Sequence, residues 1–262
     1  MKIAIPTSRS KIQFYINQAY VEYVTGAGAG YDPILVHDQN DAVQIADICE
    51  GLILPGGIDI DPVFYGESNF SSYGVEPEKD DFERRLMYAF INQHKPIFGI
   101  CRGAQLIARE YLRNVPAAED RLYFAQHVSD HSLAKDLNVR RDIRTHEIRA
   151  DRNTLYSEEH NQYQSMFVNS MHHQCLCLLQ EKPKKGKPSY VNPIVEDLKV
   201  LAFTSYGMPK KENTLVIEAF SIEGWVDSDI LAVQWHPEEL KDYALLTNFF
   251  GEANENNVEE AE

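Results

Sequence analysis

The stretch Lys95-Pro96-Ile97-Phe98-Gly99-Ile100-Cys101-Arg102-Gly103-Ala104-Gln105-Leu106-Ile107-Ala108 reads as a strand, a sharp turn and a helix. Glycines stand two residues before and two after Cys101. That is the spacing of a nucleophile elbow, where a reactive side chain caps a tight turn and bulky neighbours would clash. A cysteine at a helix N-terminus meets unpaired backbone N–H groups and the positive end of the helix dipole, which favour thiolate over thiol. A lone cysteine at the end of a core strand is more often an inert buried residue. The rest of the chain overturns that reading here.

Ahead of the elbow the pattern is repeated strand and helix. Lys2 to Pro6 is a short apolar strand, and Lys11 to Val24 carries Phe14, Ile16, Tyr20 and Val24 at helical spacing, so one helix is expected there. Thr25-Gly26-Ala27-Gly28-Ala29-Gly30 follows a helix and precedes the strand Ile34-Leu35-Val36, so it reads as a helix end and turn. A dinucleotide-binding glycine loop would follow a strand. Asp41 to Ile48 predicts a short helix, and Gly51-Leu52-Ile53-Leu54 a strand buried on both faces. That strand ends in Pro55-Gly56-Gly57-Ile58-Asp59-Ile60-Asp61-Pro62, and glycines at such a strand end let backbone approach a ligand. Asp59 and Asp61 read as turn or capping residues, because two carboxylates alone make a weak metal set. Asp80 to Ile91 predicts an amphipathic helix with acids in its first turn. Strand and helix in alternation argue for a parallel sheet covered by helices.

Beyond the elbow the pattern weakens. Asn114 to Gln164 is rich in charge and holds His127, His131, His146 and His160, whose spacing matches no compact metal template, so solvated surface is expected. Later strands are expected at Phe167 to Gln174, Val200 to Phe203, Thr214 to Ser221 and Ile230 to Glu238, partly as antiparallel hairpins, with Lys182 to Lys187 as an exposed loop.

The chain has 262 residues, four of them cysteine, and a formal net charge of −15. Its length allows one large α/β domain over 1–250, followed by an acidic tail, 251–262, too poor in apolar residues to fold. The acidic balance argues against nucleic acid and anionic lipid as partners. Four unevenly placed cysteines make no secreted disulfide framework, the first residues lack a signal-peptide pattern, and no apolar run reaches the ~18 residues that span a bilayer. A reducing, cytoplasmic setting is the expectation.

A thiolate nucleophile needs a base, and the base needs a group to hold its ring. His236 and Glu238 suit those roles: on a strand, residues two apart face the same way, and Pro237 helps end it.

Four blocks now stand in order: Gly51 to Pro62, Gly99-Ile100-Cys101-Arg102-Gly103-Ala104-Gln105-Leu106, Val168-Asn169-Ser170-Met171-His172-His173-Gln174, and Val233-Gln234-Trp235-His236-Pro237-Glu238. Together they resemble the class I glutamine amidotransferase superfamily, most closely its gamma-glutamyl hydrolase branch, which includes gamma-glutamyl-gamma-aminobutyrate hydrolases. The resemblance implies a three-layer α/β/α sandwich with a mostly parallel central sheet. It implies hydrolysis of a gamma-glutamyl amide through a glutamyl thioester on Cys101, with His236 as base and acid, Glu238 as its orienting group, and no cofactor. By the same resemblance the backbone N–H groups of Gly57 and Arg102 form the oxyanion hole. Gln105, Ser170, His172 and His173 are the matching substrate-binding positions. His172, His173, Cys175 and Cys177 could also be read as a zinc cluster, but neighbouring histidines on a strand face opposite ways, so no metal is expected.

Two departures stand out. Ile58 replaces the branch's usual proline, and Tyr111-Leu112-Arg113-Asn114-Val115-Pro116 replaces its glycine turn, a region expected to shape the leaving-group side of the pocket. The expected partner is a small gamma-glutamyl substrate. The alternative is a glutaminase subunit delivering ammonia to a separate synthetase or ligase, and a homodimer stays open. A third reading, a binding or scaffolding protein that has lost the chemistry, is disfavoured because nucleophile, base, orienting acid and oxyanion glycine are all present.

Overall fold

The computed structural model describes residues 1–28, 30–132, 138–159, 163–180, 193–205, 214–223 and 226–251. His160, the Lys182 to Lys187 run and the acidic tail beyond Gly251 lie outside the described residues.

Among these residues a large sheet is built in two halves. The parallel half runs β4 (Asp32–Val36), β1 (Lys2–Pro6), β5 (Gly51–Leu54), β6 (Ile97–Ile100) and β14 (Ile230–Val233). Antiparallel strands continue it: β13 (Thr214–Ile222), β12 (Leu198–Thr204), β8 (His146–Ala150) and β9 (Gln164–Val168). The nine residues of β13 divide one edge between two neighbours. Ala219 to Ile222 pair with β14, while Thr214 to Val216 pair with β10 (Cys175–Leu179), which in turn pairs with β7 (Leu122–Ala125). The short β11 (Ile194–Val195) pairs with β12.

Helices cover both faces because buried strand residues alternate between them. Ala4, Leu52, Leu54, Ile97 and Ala232 pack with α2 (Ala42–Ile48), α3 (Pro77–Asn92) and α4 (Arg102–Asn114). Ile3, Ile5, Ile53, Phe98 and Val233 face the other way, toward α1 (Gln18–Gly26), α5 (Arg152–Tyr156) and α7 (Tyr243–Phe250). The expected α/β/α sandwich is the fold observed.

Several boundaries differ from expectation. Lys11 to Val24 is not one helix: β2 (Ser8–Arg9) and β3 (Phe14–Tyr15) form a small hairpin, and α1 begins only after Asn17, whose side chain accepts from Ala19 N at 3.1 Å. The expected strand at Phe167 to Gln174 ends at Val168, leaving 169–174 as a loop before β10. The region 114–164 is not all solvated surface, since His131 and His146 are 0% and 3% exposed, while His127 is exposed. Their burial depends on pairings across the antiparallel half, which no local pattern announces.

Candidate active site

The adjacency of β5, β6 and β14 is what assembles the site. Leu54 pairs with Gly99 and Ile100 with Val233, so the carboxyl ends of three neighbouring parallel strands lie together. From them emerge Gly56 and Gly57, Cys101, and His236, at the place where open α/β sheets bind ligands.

Cys101 occupies the turn between β6 and α4 at φ 50°, ψ −104°. Such a conformation in a residue bearing a Cβ costs about 1–3 kcal/mol and persists only where packing enforces it. Enforcement comes from both sides. The Cys101 N–H donates to the Val233 carbonyl at 2.8 Å, and its own carbonyl starts the first turn of α4. The flanking Gly103 lies so close to β5 that a Cβ there would stand 2.1 Å from the Leu54 carbonyl oxygen.

His236 and Glu238 do not continue a strand. β14 stops at Val233, and His236 caps the four-residue helix α6 (Pro237–Leu240). Pro237 fits its first position because its fixed φ suits a helix start and its missing N–H costs nothing there. The turn still joins the two side chains: His236 Nδ1 and Glu238 Oε1 are 2.6 Å apart, both buried. Burial alone would lower the His236 pKa. The Glu238 carboxylate, and after it Cys101, outweigh that and push it up to about 10.

Two residues that sequence reasoning did not single out position this group. Asn169, fully buried, accepts from the His236 N–H at 3.0 Å and donates to its carbonyl at 3.1 Å and to that of Arg141 at 2.8 Å. Its signal was its place in the Val168 to Gln174 block. Tyr20 accepts the Gly56 N–H at 2.7 Å, and burial followed by the nearby Glu238 carboxylate keeps its hydroxyl protonated. Its helical spacing made it look like an ordinary core residue. Gly56 itself is wedged in, since a Cβ there would come within 2.7 Å of His236 Cε1 and 2.8 Å of Tyr20 Oη.

A cleft of about 380 Å³ opens over Cys101, bordered by Gly57, Asp59, Tyr73, Gln105 and Arg141. His172 and His173 also line it, whereas Ser170 is fully buried and donates to the His131 carbonyl. Gln105 donates to the Gln174 carbonyl at 2.8 Å. His173 sits 3.0 Å from Asp59 Oδ2 and stacks on Tyr73, with ring centroids 4.8 Å apart. The 111–116 segment closes α4 and does not line this cleft, with buried Tyr111 donating to the Val195 carbonyl at 3.0 Å. Two other clefts, of about 500 and 600 Å³, are larger but include neither a cysteine nor a histidine.

The backbone N–H of Arg102 follows Cys101 at the start of α4, while its guanidinium turns inward and forks to Asp80 and Glu83. Lys79 Nζ completes the pair with Glu83 at 2.6 Å. Burial would raise the Glu83 pKa, but Arg102 and then Lys79 hold it below the usual carboxylate range. Asp80 also accepts the Asp61 N–H at 2.9 Å, tying the glycine loop to α3. All four cysteines are free and buried, and no described helix is long and apolar enough to cross a membrane.

This fold is shared with solved structures. A provisionally identified GMP synthase component from Thermoplasma acidophilum aligns with TM-score 0.55 at 16% identity, covering 96% of this chain and 92% of that one. The glutaminase domain of Trypanosoma brucei CTPS aligns with TM-score 0.54 at 14% identity, covering 94% and 92%. The molecule thus belongs to the α/β fold class of these two structures. Within that class the chain belongs to the peptidase C26 family, whose model it matches over residues 5–238. A glutamine amidotransferase-like protein of Rickettsia prowazekii is 26% identical, covering 90% of this chain and 87% of the relative. The gamma-glutamyl-gamma-aminobutyrate hydrolase of Escherichia coli O157:H7 is 26% identical over 77% of this chain and 69% of its own length.

Proposed function

We propose that the chain is a cysteine-dependent hydrolase of gamma-glutamyl amide bonds, working through a Cys101, His236 and Glu238 triad. The observation that carries this reading is Cys101 held at a positive φ under an open cleft, with its side chain and the Glu238-bound imidazole of His236 both packed against Gly56.

In this mechanism the Cys101 sulfur adds to the gamma-carbonyl carbon, and the carbonyl electrons move onto oxygen. The Gly57 and Arg102 N–H groups meet the oxyanion, where fixed donors contribute most. When the tetrahedral adduct collapses, His236 gives its proton to the departing amine and a glutamyl thioester remains. A water then loses its proton to His236 and attacks the thioester, releasing glutamate and the thiolate. A raised imidazole pKa suits the first step, because the ring is already protonated when the amine leaves. Gln105, His172 and His173 border the cleft where the glutamyl group would lie, and Ser170 braces their loop.

The test is to offer the purified protein, with no partner present, a panel of gamma-glutamyl amines and glutamine. Turnover of the amines, with a glutamyl mass adduct on Cys101, supports the hydrolase. Slow glutamine hydrolysis that rises only when a synthetase is added would establish the ammonia-donating role instead. Cys101→Ser should abolish turnover and leave the circular dichroism spectrum unchanged.

A further inference from the structure

Beside the cleft the fold gathers a second set of ionisable side chains, of which only His172 also borders the cleft. His131, from the loop after β7, His146 on β8, His172 from the β9–β10 loop and Glu218 on β13 are each no more than 4% exposed. Their Nε2 atoms converge on one oxygen: His146, His131 and His172 lie 3.0, 3.6 and 3.9 Å from Glu218 Oε1. The rings of His131 and His146 have centroids 5.1 Å apart, and those of His131 and His172 are 4.8 Å apart.

The far side of two rings fixes what the near side offers. His131 Nδ1 faces the Ser129 carbonyl at 2.9 Å, and His172 Nδ1 faces the Gln174 carbonyl at 3.1 Å. A carbonyl oxygen can only accept, so each Nδ1 carries the hydrogen and each Nε2 is turned inward, where it offers a lone pair whenever its ring is neutral. Two such nitrogens therefore confront a carboxylate oxygen in a water-poor interior. His172 Nε2 and Glu218 Oε2 have no hydrogen-bond partner among the described residues. Such a centre requires positive charge. A proton on one ring supplies one unit, whereas a divalent cation supplies two.

We propose that His131, His146, His172 and Glu218 form a binding site for a divalent transition-metal ion of the zinc type. Zinc holds imidazole nitrogen and carboxylate oxygen at about 2.0–2.2 Å, which places neighbouring tetrahedral donors roughly 3.3 Å apart. The separations from Glu218 bracket that figure, and the donor atoms of His131, His146 and Glu218 all lie within 4.8 Å of one another. Three imidazoles exclude magnesium and calcium, which take oxygen. Nδ1–H bonds to backbone carbonyls are the outer contacts that metal-bound histidines make. The ion would be structural: the His172 N–H donates to the His131 carbonyl at 3.1 Å, and both chain segments run straight into cleft-lining residues, Ser132 from one and Met171 and His173 from the other. This inference stands independently of the gamma-glutamyl reading.

The experiment uses the full chain without an affinity tag, expressed with zinc in the medium. Mass spectrometry of the purified protein is expected to find about one zinc per chain. Cobalt titrated into the metal-free protein should give the strong visible absorption of a four-coordinate site, saturating at one equivalent, and zinc should raise the melting temperature. His146→Asn and Glu218→Gln should each weaken cobalt binding more than about tenfold. Wild-type protein that holds no metal, gives no cobalt absorption and melts unchanged with zinc would overturn the proposal, leaving a proton-bearing network. A near-ultraviolet thiolate-to-cobalt band would also overturn it, by placing the ion on cysteine. The wild-type measurements decide the matter even where a variant fails to fold.

Discussion

Cys101, His236 and Glu238 owe their relation to different forces, and each can be perturbed separately. On the proposed mechanism, removing the imidazole removes both acid and base, so His236→Ala should lower kcat/KM by roughly 10⁶-fold, and Glu238→Gln by roughly 10⁴-fold, because an orienting group leaves some base chemistry behind. The pH profile gives a sharper readout. The wild-type alkaline limb of kcat/KM should fall near pH 10, where His236 loses the proton the leaving amine needs. Since Glu238 is the largest influence raising that pKa, Glu238→Gln should move the limb to lower pH. An unmoved limb would show that a different group donates the proton. Asn169 acts on His236 through backbone contacts alone, so Asn169→Ala should reduce kcat with little change in KM, as measured by steady-state kinetics.

At the level of elements, what matters is how closely the elbow helix approaches its sheet. A methyl at position 103 would overlap the Leu54 carbonyl, so Gly103→Ala must push α4 away from β5. Overpacking of this kind costs about 1–3 kcal/mol, and a fall of that size in the unfolding free energy is expected from urea denaturation, with activity falling further because Cys101 moves with α4. The elbow was legible because its requirements are local: glycine spacing, an apolar strand before it and a helical pattern after it. The glycine loop after β5 was legible for the same reason. The start of α1 was misplaced because Phe14 and Ile16 mimic helical spacing, while Asn17 caps the true beginning. His236 and Glu238 were paired correctly on a strand argument, although the chain achieves the pairing through a proline-led turn. The buried histidines were unreadable, since their environment is made by β8, β13 and two loops far apart in sequence.

The molecule as a whole is most sensitive where charge is buried. Glu83 is fully buried between Arg102 and Lys79, so Glu83→Gln leaves a cation short of its partner beneath the elbow and should destabilise by about 3 kcal/mol in denaturant unfolding. A pH effect on stability follows from His236. Its folded pKa lies above its ordinary value of 6.5, so its contribution is complete below about pH 6.5 and is lost as pH rises through about 10. The unfolding free energy should decline over that window, and the decline should flatten in Glu238→Gln.

The divided edge of β13 links the two halves of the protein. Its later residues form the ladder beside the strand that leads to His236, while Glu218, between them and the residues paired with β10, reaches the histidine group. Deleting one residue here would be a single lesion felt in two places: Glu218 would swing to the opposite face as the alternation reversed, and the support under the imidazole would shift by one rung. Length variation among relatives should therefore gather in the connections around this strand and spare the strand itself.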